Sequence, residues 1–366
     1  MKICIFFHFL LSFSLCKFSF AQKNIVGIVF DSNSRPIPNV SIHIVNSTVG
    51  TQSSISGFYK IDIPRNLRER EILFSCVGYE RKKIALDSYK GDSINVFLKI
   101  SNDTISEVNK KERRSFLVKS RLKKIENVLT GDNFYSKKCK VVNLNDFILL
   151  DSGGHKFYYY ASKPIVILNK ALGYKIEFEV GKSFIDGNRT TYNNTNIKFS
   201  PLIPQNSKEE KFWENNRKRV FYSSTRGFFY SIARNINSDY YSTYIISNFD
   251  WSFPKNFKSE VISGNFTEIF PWLNKNGSVG KDVFEMKVNS GKELLVFYNK
   301  SFGMEQYFEG SNNVFEILEF RNGILKFDNF GNVLSAYSTK PGKNEMFSSM
   351  LPKDYLPKNV DVEIKK

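Results

Sequence analysis

Apolar and polar positions alternate in short runs from residue 23 to about residue 100, and Gly, Pro, Asn or Asp separates the runs, as in strands joined by tight turns. Ile25 to Asp31 is apolar on both sides: Ile25 and Val29 share one face, and Val26, Ile28 and Phe30 share the other. That pattern predicts a strand covered twice. Asp31 to Pro38 follows as a turn, since Asn33 and Ser34 suit a bend while Pro36 and Pro38 cannot donate ladder hydrogen bonds. Val40, Ile42 and Ile44 then alternate with Ser41, His43 and Val45, which sends the isoleucines inward and His43 outward as an exposed strand residue. Gly50 to Gly57 is a small polar crossing, and Gly57, Tyr59, Ile61 and Ile63 form the next inward set, ended by Pro64. Ile72–Val77, Lys83–Leu86 and Ile94–Leu98 add strands, with Gly78 and Tyr79 between two of them. Six or seven short strands with no helical period predict an antiparallel β-sandwich.

The period changes after the polar, charged stretch Ser101–Ser115, which suits a hinge. Val118, Leu122, Ile125 and Leu129 form one stripe of a short amphipathic helix over Phe116–Leu129. Strand signals return at Val141–Val142, Phe147–Leu150, Lys156–Ala161, Ile165–Leu168 and Tyr174–Val180, with Ser152-Gly153-Gly154 as a hairpin turn. Ser207–Asn237 is the clearest helical segment: Phe212, Trp213, Val220, Phe221, Phe228, Ile232 and Ile236 recur near helical spacing, and Ser207 with Glu210 reads as a capping box. Gly227 is a place where this segment can divide into two helices. Beyond it, Tyr244–Ile246, Phe284–Val288, Leu294–Tyr298 and Val314–Phe320 read as strands. Gly323–Tyr337 reads as a hairpin with Asp328-Asn329-Phe330-Gly331 at its tip, and Pro352 and Pro357 mark a loose tail.

Several residues of the first region carry a family resemblance. Gly27-Ile28-Val29 with Asp31, the Pro36-Ile37-Pro38 turn followed by Val40, Gly50-Thr51, Gly57-Phe58-Tyr59 and Val77-Gly78-Tyr79 form an ordered set over about Lys23 to Ile100. This set resembles the carboxypeptidase-like regulatory domain, the transthyretin-like sandwich found after some metallocarboxypeptidase domains and at the N-terminus of many TonB-dependent receptors. The resemblance implies an accessory module without the peptidase's zinc ligands or catalytic glutamate, so no peptidase activity is expected. Asn169–Ile176, NKALGYKI, with Lys137–Lys140, resembles a second region that often follows this sandwich in exported proteins of Gram-negative bacteria, for which no activity carries over. Where such proteins have a Tyr-x-Gly-Ser-x-x-His-Phe run, this chain reads Tyr222-Ser223-Ser224-Thr225-Arg226-Gly227-Phe228. The histidine is absent, so no histidine site is expected at this helix.

Targeting and composition narrow the function classes. Met1–Gln22 has Lys2, an apolar run from Ile3 to Leu15 and the small-residue pattern Ser19-Phe20-Ala21, the signature of a secretory signal peptide cleaved after Ala21. The run is too short for a membrane anchor, and no later segment approaches the roughly 20 apolar residues of a membrane helix. The chain of 366 residues carries a formal charge of +17, and loss of Lys2 and Lys17 with the leader leaves +15. Export argues against a nucleic-acid partner, so the remaining readings of the charge are a solvated basic surface or an anionic membrane surface. Cys76 and Cys139 fall in different regions, so a bridge between them would be an interdomain staple, and two buried free thiols are the simpler reading. No Cys/His spacing suits a structural metal.

Catalytic signatures are missing. There is no nucleophile elbow, phosphate-binding loop, dinucleotide fingerprint or zinc-protease motif. His43 and His155 are the only histidines left after leader removal, and His155 reads as a hairpin residue. Glu177 and Glu179 share a strand face and read as solvating. Aromatics make up 15% of the chain, and Trp213, Trp251 and Trp272, together with Tyr158, Tyr159, Tyr160, Tyr240 and Tyr241, are the candidate ligand contacts, as stacking platforms for sugars. No catalytic, cofactor or metal residue is assigned.

The resulting expectation is a mainly β protein. Its organisation is a signal peptide over 1–21, a seven-stranded antiparallel transthyretin/Ig-like sandwich over 22–100, a linker over 101–115, and a β-rich α+β domain with a long amphipathic helix over 116–366. The expected function is a non-enzymatic, exported cell-envelope protein, periplasmic or outer-membrane associated, with an envelope protein or glycan as partner. The alternatives are an envelope hydrolase with its site in 116–366 and, third, a small outer-membrane barrel, which the helix at 207–237 disfavours.

Overall fold

The computed structural model describes residues 23–67, 70–86, 89, 91–101, 116–151, 156–187, 189–191, 193–234, 241–247, 273–274, 283–287, 292–298, 314–320, 324–335, 337–340 and 346–358. The leader, the linker 102–115, the turn 152–154, His155, Tyr240, Trp251 and Trp272 lie outside these residues. The protein is mainly β. It divides into two compact units, one of 1–45 with 49–103 and one of 46–48 with 104–366.

The first unit holds seven strands: β1 (Lys23–Asp31), β2 (Ser41–Ile44), β3 (Gly50–Gln52), β4 (Phe58–Ile63), β5 (Glu71–Ser75), β6 (Lys82–Ala85) and β7 (Val96–Leu98). They form two sheets, β4-β1-β7 and β3-β2-β5-β6, which share one core of Ile25, Val29, Ile42, Ile44, Tyr59, Ile61, Ile63, Ile72 and Phe74. The inward sets follow the period of two in the sequence.

Three features of this unit differ from expectation. β1 pairs β7 in parallel, Val29 opposite Val96 and Asp31 opposite Leu98, so the sandwich is mixed rather than wholly antiparallel. β1 is buried on one face only: Ile25, Gly27, Val29 and Asp31 are buried, while Val26, Ile28 and Phe30 are half-covered. His43 is 5% exposed rather than outward in solvent, beside Leu73 at 2%. β2 is an interior strand with β3 on one side and β5 on the other, and alternation alone could not report that its second face is covered as well.

In the second unit, α1 (Phe116–Thr130) precedes β8 (Cys139–Val141), β9 (Phe147–Asp151), β10 (Lys156–Ala161), β11 (Ile165–Asn169), β12 (Tyr174–Val180), β13 (Ser183–Asp186), β14 (Arg189–Thr191) and β15 (Asn194–Pro201). The sheets β14-β13-β10-β9 and β15-β12-β11-β8 enclose a core of Phe147, Phe157, Tyr159, Ile165, Ile167, Ile176, Phe178, Ile185 and Phe199. Leu122, Ile125 and Leu129 of α1 join this core, the same stripe that the helical period picks out.

The segment from Ser207 is two helices, α2 (Ser207–Tyr222) and α3 (Thr225–Ala233), not one long helix. Asn206 caps α2 by accepting from Glu209 N at 3.0 Å, and Glu209 accepts in return from Gln205 N at 2.7 Å. The cap thus sits one residue earlier than Ser207, and the return bond of Glu209 goes to the residue before the cap, so the reciprocal pair expected of Ser207 and Glu210 does not form. The break comes before Gly227: Ser224 caps α3, and its hydroxyl accepts from Gly227 N at 3.1 Å.

Next come β16 (Tyr241–Ser247), β17 (Leu273–Asn274), β18 (Val283–Lys287), β19 (Lys292–Tyr298), β20 (Val314–Phe320), β21 (Ile324–Asp328) and β22 (Tyr337–Lys340), in sheets β16-β19-β20-β22 and β17-β18-β21. Phe228, Phe229 and Ile232 of α3 pack into their shared core. The hairpin tip at Asp328–Gly331 forms, with Asp328 accepting from Phe330 N and Asn332 N at 2.8 Å. The second arm folds back on β21 as expected, with Asp328 N donating to Asn332 O, Leu334 N to Lys326 O and Val333 bridging Phe327, and from Tyr337 the chain leaves the hairpin as β22 and pairs with β20.

The tail is not loose. Phe347 is 2% exposed and stacks on Phe178 at 4.0 Å, and Pro352 and Pro357 are buried. Arg226 donates to the carbonyls of Pro352, Lys353 and Tyr355 at 3.2, 2.7 and 2.9 Å. Proline lacks an N–H to satisfy, which suits it to a buried strap held through carbonyls.

Candidate functional site: an aromatic and lysine face

The residues that mark the first unit act on the backbone. A Cβ on Gly27 would stand 1.8 Å from the carbonyl oxygen of Ile94, so only glycine fits there. Tyr59 donates its hydroxyl to that same carbonyl at 2.9 Å. Gly57 has φ +73, and its added Cβ would meet Val29 O at 2.7 Å. Asp31 organises the proline turn by accepting from Asn33 N, Arg35 N and Arg35 Nε at 2.8–2.9 Å. These bonds, the one from Arg35 N foremost, hold its carboxyl below the usual range. Ser53 accepts from Val40 N and donates to Ile37 O, closing the turn onto β2. Gly27, Asp31, Gly57 and Tyr59 are each explained by a turn or a close backbone approach.

A second polar cluster, in the other unit, is also structural. Asn169 donates to the carbonyls of Phe347 and Ser348 and accepts from Ala171 N and Leu172 N. Trp213 donates to Lys170 O at 2.9 Å, Asn216 to Ala171 O at 2.9 Å and Arg217 to Leu172 O at 2.6 Å. Trp213 is 4% exposed and lies against Gly173, whose added Cβ would be 2.3 Å from the indole. It offers no platform to a ligand. Burial pushes the Tyr174 hydroxyl up to about 12 against the lowering effect of Arg217, and pushes the Cys139 thiol up to about 12, which keeps that sulfur neutral.

The remaining candidates divide. Glu177 pairs with Lys175 at 3.0 Å and faces Lys198 on β15, so the Glu177/Glu179 face is a mixed-charge surface. Cys76 and Cys139 are free thiols, as read, but each is half-buried and not fully buried. Among the described residues no group of three His, Cys, Asp or Glu gathers to hold a metal. Tyr159 and Tyr241 are in the core, at 0% and 3% exposed.

Tyr158 and Tyr160 are different. β10 alternates Phe157 and Tyr159 inward with Lys156, Tyr158 and Tyr160 outward. Its neighbours place Leu150 and Phe184 opposite Tyr158, Ile148 opposite Tyr160 and Asp186 opposite Lys156. The Tyr158 and Phe184 rings meet edge-on, 5.9 Å apart. Lys156 Nζ lies 5.1 Å from the Tyr158 centroid and 4.9 Å from that of Phe184. Lys182 Nζ lies 4.9 Å from the Tyr158 centroid. Two ammonium groups thus share one ring, each in the range of a cation–π contact. Thr191 on β14 adds a hydroxyl beside Phe184. At the β13–β14 turn, Lys124 donates to Gly187 O at 3.0 Å.

The outer face of β14-β13-β10-β9 is therefore a half-exposed aromatic surface carrying paired cations. Sequence reasoning reached its tyrosines among eight candidate aromatics but neither Phe184 nor the two lysines. The missed signal is the Lys-x-Tyr alternation of β10 read together with Lys182-Ser183-Phe184.

Comparison with known proteins adds the following. No curated protein matches the chain. A crystal structure of a 9R-lipoxygenase from Cyanothece PCC8801 aligns with 9% identity over 60% of this chain and 49% of its own length, at a TM-score of 0.18, and nothing about fold or activity follows from it. No helix among the described residues is long and apolar enough to cross a membrane. The mixed two-sheet unit with its Asp31 turn coincides with a family match: residues 25–109 match the model of the CarboxypepD_reg-like domain, so the N-terminal sandwich is similar to that domain.

Proposed function

We propose that this protein is a non-enzymatic, exported cell-envelope component that binds a partner in the envelope through the outer face of β14-β13-β10-β9, with the N-terminal sandwich as an accessory module. The observation that carries this reading is the Tyr158, Phe184, Lys156 and Lys182 cluster, where large side chains meet at the surface instead of in the core. Aromatic side chains are enriched in binding surfaces relative to the rest of a protein's exterior. Envelope localisation is supported by the occurrence of CarboxypepD_reg-like domains in envelope proteins and by the leader pattern of Met1–Ala21.

Fractionation of cells carrying the tagged protein, followed by crosslinking to its neighbours, tests the proposal. Recovery in the envelope, with crosslinks from β10 or β13 and no turnover on peptide, ester or glycoside panels, is the expected result. Recovery in the cytosol, or turnover that disappears when Glu177 and Glu179 are changed, contradicts it.

A further inference from the structure

We infer that the partner of this face is an acidic polysaccharide, bound through carboxylate or similar anionic groups that bridge Lys156 and Lys182. The inference rests on the proposed function and specifies its ligand. Each ammonium group lies within 5.1 Å of the Tyr158 centroid, so two positive charges gather at one ring, whose quadrupole offsets part of their repulsion. Asp186 is the cross-strand neighbour of Lys156, and the two lysines outnumber it, which gives the site charge complementarity for a negative group.

The same geometry argues against a neutral sugar as the preferred ligand. A neutral pyranose stacks on an open ring face, and here the Tyr158 and Phe184 rings already hold Lys156 and Lys182. The rings act as rests that orient the cations, and hydroxyls of Tyr158, Tyr160 and Thr191 remain on the same face to meet sugar hydroxyls. A lipid headgroup shares the anionic chemistry, but membrane docking needs apolar side chains that project into the bilayer. On this face Ile148 and Phe184 are half-buried within the sheet, and among the described residues Leu150, 42% exposed, is the one apolar projection.

The test measures binding of polygalacturonate, a uronate polymer, to the full mature chain, with neutral dextran and phosphatidylglycerol vesicles in parallel. Because the chain is strongly basic, the variant Lys156→Gln/Lys182→Gln is compared with Lys208→Gln/Lys211→Gln, which removes two exposed charges from α2. A melting curve on each variant confirms folding. Polygalacturonate affinity falling tenfold or more in the first variant, with a shallower salt dependence, and less than twofold in the second is the expected result. Equal losses in the two variants overturn the inference, because binding would then follow net charge alone. Dextran binding as tightly as polygalacturonate also overturns it, yet leaves a glycan-binding role standing. Vesicles bound in preference to polygalacturonate overturn it in favour of a lipid surface. Failure of all three probes sinks the inference, while the fate of the broader reading is decided separately by the crosslinks from β10 and β13.

Discussion

The residues that identify the first unit and the residues that form the proposed binding face of the second differ in what they touch. Gly27, Asp31, Gly57 and Tyr59 all meet main-chain atoms: a carbonyl too close for any side chain, a turn of amides, a left-handed bend, a hydroxyl on Ile94 O. Lys156, Tyr158, Lys182 and Phe184 meet one another, at the surface, on strands whose opposite faces build the core. A family signature of the first kind persists because the backbone demands it and says little about ligands. A surface of the second kind leaves only a faint mark in sequence, because many residue choices keep the fold.

That contrast fixes the order of mutational effects. The largest belongs to Gly27→Ala, where the new methyl would overlap Ile94 O at 1.8 Å and force β1 away from the segment before β7. A loss beyond about 4 kcal/mol is expected, read as disappearance of the sandwich transition in chemical denaturation. Trp213→Ala removes a buried indole and orphans Lys170 O, and should cost about 3–5 kcal/mol in the second unit. Survival of either variant at wild-type stability would blur the distinction between backbone-bound and surface residues. Ser224→Ala removes the α3 cap and should cost about 1 kcal/mol, with Ser224→Gly costing less.

Asp31 yields a smaller effect confined to acid. Its folded value is lowered from 3.8, so its contribution is fully present above the unfolded value and is lost as pH falls through the folded one. Wild type should therefore be more stable than Asp31→Asn at pH 7, and the difference should shrink in parallel melts as pH falls below 3.8 through the folded value. The smallest change is expected for Lys156→Gln/Lys182→Gln, within about 0.5 kcal/mol of wild type, because both side chains lie on the surface. A large loss there would move the pair from the binding face to the structural group.

What the sequence made legible follows the same division. The inward sets Ile25/Val29, Ile42/Ile44 and Tyr59/Ile61/Ile63 follow from period two, and the stripe Leu122, Ile125, Leu129 from the helical period. The parallel β1–β7 pairing left no local trace, because it joins residues more than sixty positions apart and depends on the route of the chain between them. β13 and β14 escaped notice because they are only four and three residues long, and β15 because Asn194, Asn196 and Pro201, poor strand residues, interrupt its pattern. Pro352 and Pro357 looked like a tail and are a buried strap, because Arg226, far away in sequence, supplies donors for the neighbouring carbonyls. The Tyr158-Tyr159-Tyr160 run fixes an alternation without fixing its phase. Which tyrosine faces outward is decided by the partners Leu150 and Phe184.

The central claim, that Lys156 and Lys182 form the recognition pair, is tested most directly by lysine acetylation footprinting of the full chain with and without polygalacturonate. Lys156 and Lys182 should be protected several-fold by the polymer while Lys208 and Lys211 are acetylated at unchanged rates. Uniform protection of all four lysines, or protection of Lys208 and Lys211 without the pair, would contradict the account.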